Sequence, residues 1–164
     1  MYQTLIGVKE LYAHVKDPEW VIIDNRFDLL DPNWGQNAFS QSHIPGAQFS
    51  DLEKNVCGTP TSTSGRHPFP DLNVFASFLV NLGLNENHQV VIYDQISGAM
   101  ASRLWWMLRF CGHTKVAVLD GGFQAWITLG YPTSTEVFSR PPGNFHCKPD
   151  PSMHLPAEVI QSER

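Results

Sequence analysis

Four aspartates, Asp24, Asp51, Asp94 and Asp120, each close a short apolar run, and Arg26, His67 and Arg103 lie near them along the chain. Carboxylates with guanidinium and imidazole groups can bind a small anion and move a proton. Asp94 is the most informative of the set. The apolar stretch Val90-Val91-Ile92-Tyr93 runs through Asp94-Gln95-Ile96-Ser97-Gly98 into a helix-forming segment that begins at Ala99. A strand that delivers a residue to the amide groups of a helix start is a common catalytic device, because those dipoles stabilise negative charge. A cysteine or serine there would be a nucleophile. The residue offered is an aspartate, whose plain role is to satisfy the first N–H groups of the helix as a cap.

The elements that must position these residues can be read from the hydrophobic pattern. Thr4 to Ile6, Trp20 to Asp24, the segment after Gly46 up to Asp51, Gln89 to Asp94 and Lys115 to Leu119 read as strands. Helical patterns run over Val8 to Val15, around Asn37 to Gln41, from Asp71 to Leu82 with Val74, Phe75, Phe78 and Leu79 on an apolar stripe, and from Ala99 to Cys111. A last short helix carries Phe123, Trp126 and Ile127 toward the core. Strands alternating with helices imply right-handed crossovers and a parallel five-stranded sheet in a three-layer α/β/α domain. The aspartates then share one edge of that sheet, the edge at which open α/β folds bind ligands.

Asn55 to Pro70 is a long loop without a usable period, and loops of that length are uncommon unless functional or mobile. From Pro132 onward Pro141, Pro142, Pro149, Pro151 and Pro156 mark a linker. Leu155-Pro156-Ala157-Glu158-Val159-Ile160 then resembles the opening Ile6-Gly7-Val8-Lys9-Glu10-Leu11. The expected organisation is therefore a domain over residues 1–135, and a linker with the start of a second, truncated copy over residues 136–164.

A net charge of -5 argues against an electrostatic footprint for nucleic acid or an anionic membrane. The amino-terminus lacks the pattern of a signal peptide, and no run is long enough to span a bilayer. Cys57, Cys111 and Cys147 form an odd set without a CxxC spacing, which argues against a disulfide framework or a zinc site and favours a reducing, cytoplasmic location. Cys111 falls on an apolar stripe, Cys57 in a loop and Cys147 in the linker. The histidines show no metal-ligand spacing, and no glycine fingerprint follows a strand, so neither a metal nor a nucleotide cofactor is expected.

Several strings occur in order between about residue 4 and residue 132. Ile23-Asp24-Asn25-Arg26, His43-Ile44-Pro45-Gly46-Ala47, Gly65-Arg66-His67-Pro68-Phe69-Pro70, Tyr93-Asp94 with Gly98 and Arg103, Trp105-Trp106-Met107-Leu108-Arg109, and Leu119-Asp120-Gly121-Gly122 with Ala125-Trp126 together resemble the amino-terminal domain of tandem rhodanese-type sulfurtransferases. The resemblance implies a two-domain enzyme that moves sulfane sulfur from thiosulfate or 3-mercaptopyruvate to cyanide or a thiol. Its nucleophilic cysteine would stand in the carboxy-terminal domain, which is absent from this chain. Asp94 takes the cysteine's position in the silent half. A carboxylate oxygen is not the polarisable nucleophile that attack on sulfur requires, so the chain alone is expected to be inactive.

In mercaptopyruvate-type members the silent half also lends residues to the cleft between domains, and the matching positions are Asp51 and His67. The tyrosine often found in the active-loop mimic is missing from Gly98-Ala99-Met100-Ala101-Ser102-Arg103, which leaves the donor open. Arg26 and Arg103 either hold a small anionic sulfur donor or pair with Asp24 and Asp94 to brace the loops. His67 is either a donor to a substrate carboxylate or a surface residue of a proline-rich turn, and His43 is expected to bond to backbone. The expected partner is the carboxy-terminal rhodanese domain of the same protein, with self-association possible through the face that domain would cover. The rival reading is a free-standing, non-catalytic rhodanese-like module that binds a partner or an anion.

Overall fold

A computed structural model describes residues 1–154. The strands are β1 (Leu5–Ile6), β2 (Trp20–Asp24), β3 (Gln48–Phe49), β4 (Gln89–Tyr93) and β5 (Val116–Leu119). They form one sheet in the order β1-β5-β4-β2-β3 with every pair parallel. The order reverses beside β4, so the crevice between β4 and β2 is where this topology puts a site.

Side chains along the central strands alternate between two cores. Val21, Ile23, Val90, Ile92, Val116 and Val118 face one helical layer, whereas Ile22, Val91, Tyr93, Ala117 and Leu119 face the other. The first layer is α4 (Leu72–Asn81) and α5 (Ala99–Phe110), which supply Phe75, Leu79, Leu104, Met107 and Leu108. The second holds α1 (Val8–His14), α2 (Trp34–Gln41) and α6 (Gly122–Thr128), which supply Leu11, Phe39, Phe123 and Trp126. A strand buried on both faces must be apolar at consecutive positions, which is why β2 and β4 read as unbroken runs. The three-layer parallel domain is the expected one.

Details differ from the pattern-based reading. The second helix begins at Trp34, three residues before the predicted Asn37. A short helix, α3 (Leu52–Asn55), occupies the start of what reads as loop, with Asp51 as its cap. Val74 and Ile127 are exposed, at 64% and 40%, because each lies at the solvent side of its stripe.

The proline-studded stretch lies on the domain. Ser134 exchanges backbone hydrogen bonds with His43, and the His43 ring nitrogens meet the carbonyls of Phe39 and Glu136, so this histidine does bond to backbone. Gln48 donates to the Phe138 carbonyl, and the Arg140 guanidinium donates to the carbonyls of Pro18 and Trp20. The Gly143 amide donates to Val80 and the Phe145 amide to Leu84, while the Phe145 ring is buried in the first core. A Cβ at Gly143 would collide with the Leu84 backbone, so only glycine allows the strap this close. Cys111 and Cys147 are joined by a disulfide, contrary to the expectation drawn from the odd cysteine count. The pairing leaves Cys57 as the free thiol, and the count therefore lends no support to a reducing compartment. No helix among the described residues is long and apolar enough to cross a membrane. The repeat expected from Leu155 to Ile160 lies outside the described residues.

Candidate functional site

Asp24, Asp51, Asp94 and Asp120 all emerge at the carboxyl ends of the parallel strands. Their surroundings divide them. Asp24 is fully buried and bound to Arg26, whose Nε and Nη2 lie 3.0 and 2.7 Å from its oxygens, while the Tyr93 hydroxyl donates to it at 2.7 Å. Burial pushes the Asp24 carboxyl up, and the bonds from Arg26 and Tyr93 oppose that shift. Arg26 also donates to the Ser42 carbonyl and stacks over the Phe123 ring at 4.1 Å. Held through Nε and Nη2 by Asp24 and the Ser42 carbonyl, the buried Arg26 braces the end of β2. Tyr93 is a participant the sequence reading left out, since a tyrosine ending an apolar run reads simply as core. Asn25, also buried, donates to the Ser50 carbonyl while its Oδ1 lacks a partner.

Asp94 is 4% exposed and spans the loop that follows β4. Its Oδ1 accepts from the Gly98 amide at 2.9 Å, and its Oδ2 accepts from Met100 at 2.9 Å and Ala101 at 3.3 Å. The carboxylate thus fills the ring of amides that would otherwise receive an anion. The loop is clamped from behind, where the Phe123 and Gln124 amides donate to the Asp94 and Gln95 carbonyls. At Gly122 a Cβ would sit 2.6 Å from the Asp94 carbonyl oxygen, and φ is +59°, which explains the second glycine of Gly121-Gly122.

Asp51, His67 and Arg103 gather around the long loop. Asp51 Oδ1 accepts from the Glu53 and Lys54 amides, and its Oδ2 lies 2.9 Å from Lys54 Nζ. The signal for this cap stands in the sequence as Asp51-Leu52-Glu53-Lys54, an acidic cap followed by an acidic first turn. His67 Nε2 stands 3.6 Å from Glu53 Oε1, too far for a hydrogen bond, and it is a buried nitrogen without a partner. Arg103 donates through Nε to the Val56 carbonyl at 3.2 Å and through Nη2 to the Pro68 carbonyl at 3.0 Å. It does not pair with Asp94. It ties α5 to both ends of the loop that carries Cys57 and His67. Burial pushes the Cys57 thiol up, Arg103 opposes the shift, and Glu53 and Asp51 add to it. A thiol held protonated in this way is a poor nucleophile.

Comparisons with known proteins give the family. A model of the rhodanese-like domain matches residues 7–129. A probable 3-mercaptopyruvate sulfurtransferase of Pseudomonas aeruginosa is 37% identical over 161 residues, which is 97% of this chain and 57% of that protein. The 3-mercaptopyruvate sulfurtransferase of Mus musculus is 37% identical over 162 residues, covering 93% of this chain and 52% of its own. The crystal structure of SseA from Escherichia coli superposes with a TM-score of 0.85 at 30% identity, over 98% of this chain and 61% of that one. The chain therefore spans about half the length of the curated relatives it matches. Fold, strand-end aspartates, glycine-clamped loop and sequence likeness converge, and the chain belongs to the rhodanese-like domain family.

Proposed function

We propose that this chain is the amino-terminal, cysteine-less domain of a tandem sulfurtransferase, which moves sulfane sulfur from a small anionic donor, thiosulfate or 3-mercaptopyruvate, to cyanide or a thiol. The observation that carries the reading is Asp94, whose carboxylate occupies the amide ring where a persulfide-forming cysteine would have to stand. Three amides that already hold a carboxylate offer nothing to a second anion. The nucleophile then belongs to a carboxy-terminal rhodanese domain of the same protein.

On this reading the domain's contribution to catalysis lies at the loop. Asp51 caps the turn that carries Glu53, and the half-buried His67 ring beside the Glu53 carboxylate is the group this reading assigns to a substrate or to a residue of the second domain. Arg103 acts by holding the loop, and Arg26 by holding β2. A cytoplasmic location forms part of the same proposal.

The test starts with the intact mass of the gene product in its own host, where a tandem protein has about twice the mass of this 18.5 kDa chain. Sulfur transfer from each donor to cyanide is then measured for the tandem protein and for this chain alone. The tandem protein should be active and the isolated chain inactive. Replacing His67 by Gln in the tandem protein should lower kcat/KM by roughly 100-fold, the loss of a positioned proton-transfer group. Turnover by the isolated chain that disappears with C57S would overturn the proposal.

A further inference from the structure

The strap carries a disulfide that takes no part in the candidate site. Cys111 follows α5 and is 1% exposed, while Cys147 lies half-buried on the surface of the strap. Beyond it the strap is held lightly. The Lys148 amide donates to the Cys111 carbonyl at 2.9 Å and the Asp150 amide to the Phe110 carbonyl at 2.8 Å. The neighbouring side chains of His146 and Lys148 reach only the exposed Glu86, each at 3.4 Å. Upstream the attachment is of another kind, with the Phe145 ring in the core and the Arg140 guanidinium on two backbone carbonyls.

We propose that Cys111–Cys147 is a thiol-exchange clasp: a dithiol reductant opens it in the folded protein and releases residues 146–154, while Phe145 keeps the rest of the strap in place. The less buried partner decides where attack occurs. A thiolate of the dithiol adds to Cys147 Sγ, the Cys147–Cys111 bond breaks, and Cys111 Sγ leaves with the electron pair and takes up a proton in the core. The second thiol of the reductant then attacks the mixed disulfide and frees the Cys147 thiol. Two electrons pass to the protein, and the dithiol becomes its own disulfide.

Opening the clasp has a consequence at the carboxyl-edge loop. The released segment includes His154, which packs edge-on against Phe69 at 5.2 Å and also meets Phe110 at 6.3 Å. These residues, with Pro70 and Leu72, enclose an apolar pocket of about 190 Å³. Phe69 follows Pro68, whose carbonyl Arg103 holds, and stands two residues from His67. Releasing His154 uncovers an aromatic face beside that loop. The clasp is independent of the proposed catalytic reading, because its test needs neither donor nor acceptor.

The experiment uses the native protein without denaturant. Iodoacetamide should add one label to the oxidised protein, at Cys57, and a second, at Cys147, after treatment with dithiothreitol, while Cys111 stays covered in the core. Hydrogen exchange followed by mass spectrometry should then show the Lys148 and Asp150 amides exchanging at least about tenfold faster after reduction, with the Phe145 amide changed by less than about twofold. C147S should reproduce the reduced pattern without any reductant. Labelling of Cys147 only after unfolding would overturn the clasp and leave a purely structural disulfide. Equal acceleration at Phe145, or none at Lys148 and Asp150, would overturn the selective release.

Discussion

Two loops at the same edge of the sheet divide the work differently. The loop after β4 is closed on itself: Asp94 is buried, its oxygens are spent on three amides, and Gly122 lets the next turn clamp it from behind. The loop from Val56 to Pro70 is tied down by Arg103 and by its own Arg66, which donates to the Leu29 carbonyl, carries a histidine with a buried, unpartnered nitrogen, and starts from an aspartate that caps a single helical turn. The first has the shape of an active loop and no capacity left for a ligand; the second has no recognisable shape and retains capacity. On the proposed reading, the carboxylate satisfies amides that a nucleophile would otherwise occupy, and the domain's contribution lies at the neighbouring loop.

The largest effect should therefore come from the closed loop. Asp94→Ala strips three amides of their acceptor and should cost about 2–4 kcal/mol of stability by urea unfolding. A cost under about 0.5 kcal/mol would mean that water serves those amides equally well and that the loop is not closed. Arg103→Ala comes next, at about 1.5–3 kcal/mol, since it removes a charged donor from two carbonyls. It should also speed proteolysis within residues 57–67, and intact protection there would show that the loop is held by something else. Asp51→Ala should cost about 1 kcal/mol, the usual worth of a helix cap. His67→Ala should change stability by no more than about 0.5 kcal/mol, because its inner nitrogen has no partner to lose. A larger loss would place His67 in the scaffold and blur the contrast between the loops.

The smallest effect is a pH dependence located away from both loops. Burial lowers the pKa of His113 and of His88, so the unfolded chain binds protons that the folded chain refuses. The associated stability is complete above the ordinary histidine value of about 6.5 and is lost as pH falls below it toward the depressed values. Thermal melts at pH 7.5 and 5.5 should show the drop, and His113→Asn should reduce it. An unchanged difference in that variant would assign the drop to other groups.

Much of this was legible in the residues. Unbroken apolar runs at β2 and β4 required a doubly covered parallel sheet, and Asp71 and Gly83 marked the ends of α4. The cap reading of Asp94 was available from its place before a helix. Other features had no local signal. Spacing alone is equally compatible with Arg103 reaching the aspartate nine residues earlier, and only the path of the long loop brought the Val56 and Pro68 carbonyls within its reach. Prolines over 141–151 describe a chain that cannot join a helix or a sheet, which suits a free linker and a docked strap alike. The choice came from Phe145, Arg140 and the close approach at Gly143.

By itself the sequence determined the layers, the order of the elements, the edge on which the aspartates gather, and the absence of a cysteine from the amide ring. These follow from periodicity and side-chain chemistry, which are local. Tertiary structure alone decided that Arg26 is spent inside the domain, that Tyr93 and Asp24 are joined, that His67 meets Glu53, and that Cys111 finds Cys147 across 36 residues. Each of those depends on the distance between segments remote in the chain, a quantity set by how the layers pack.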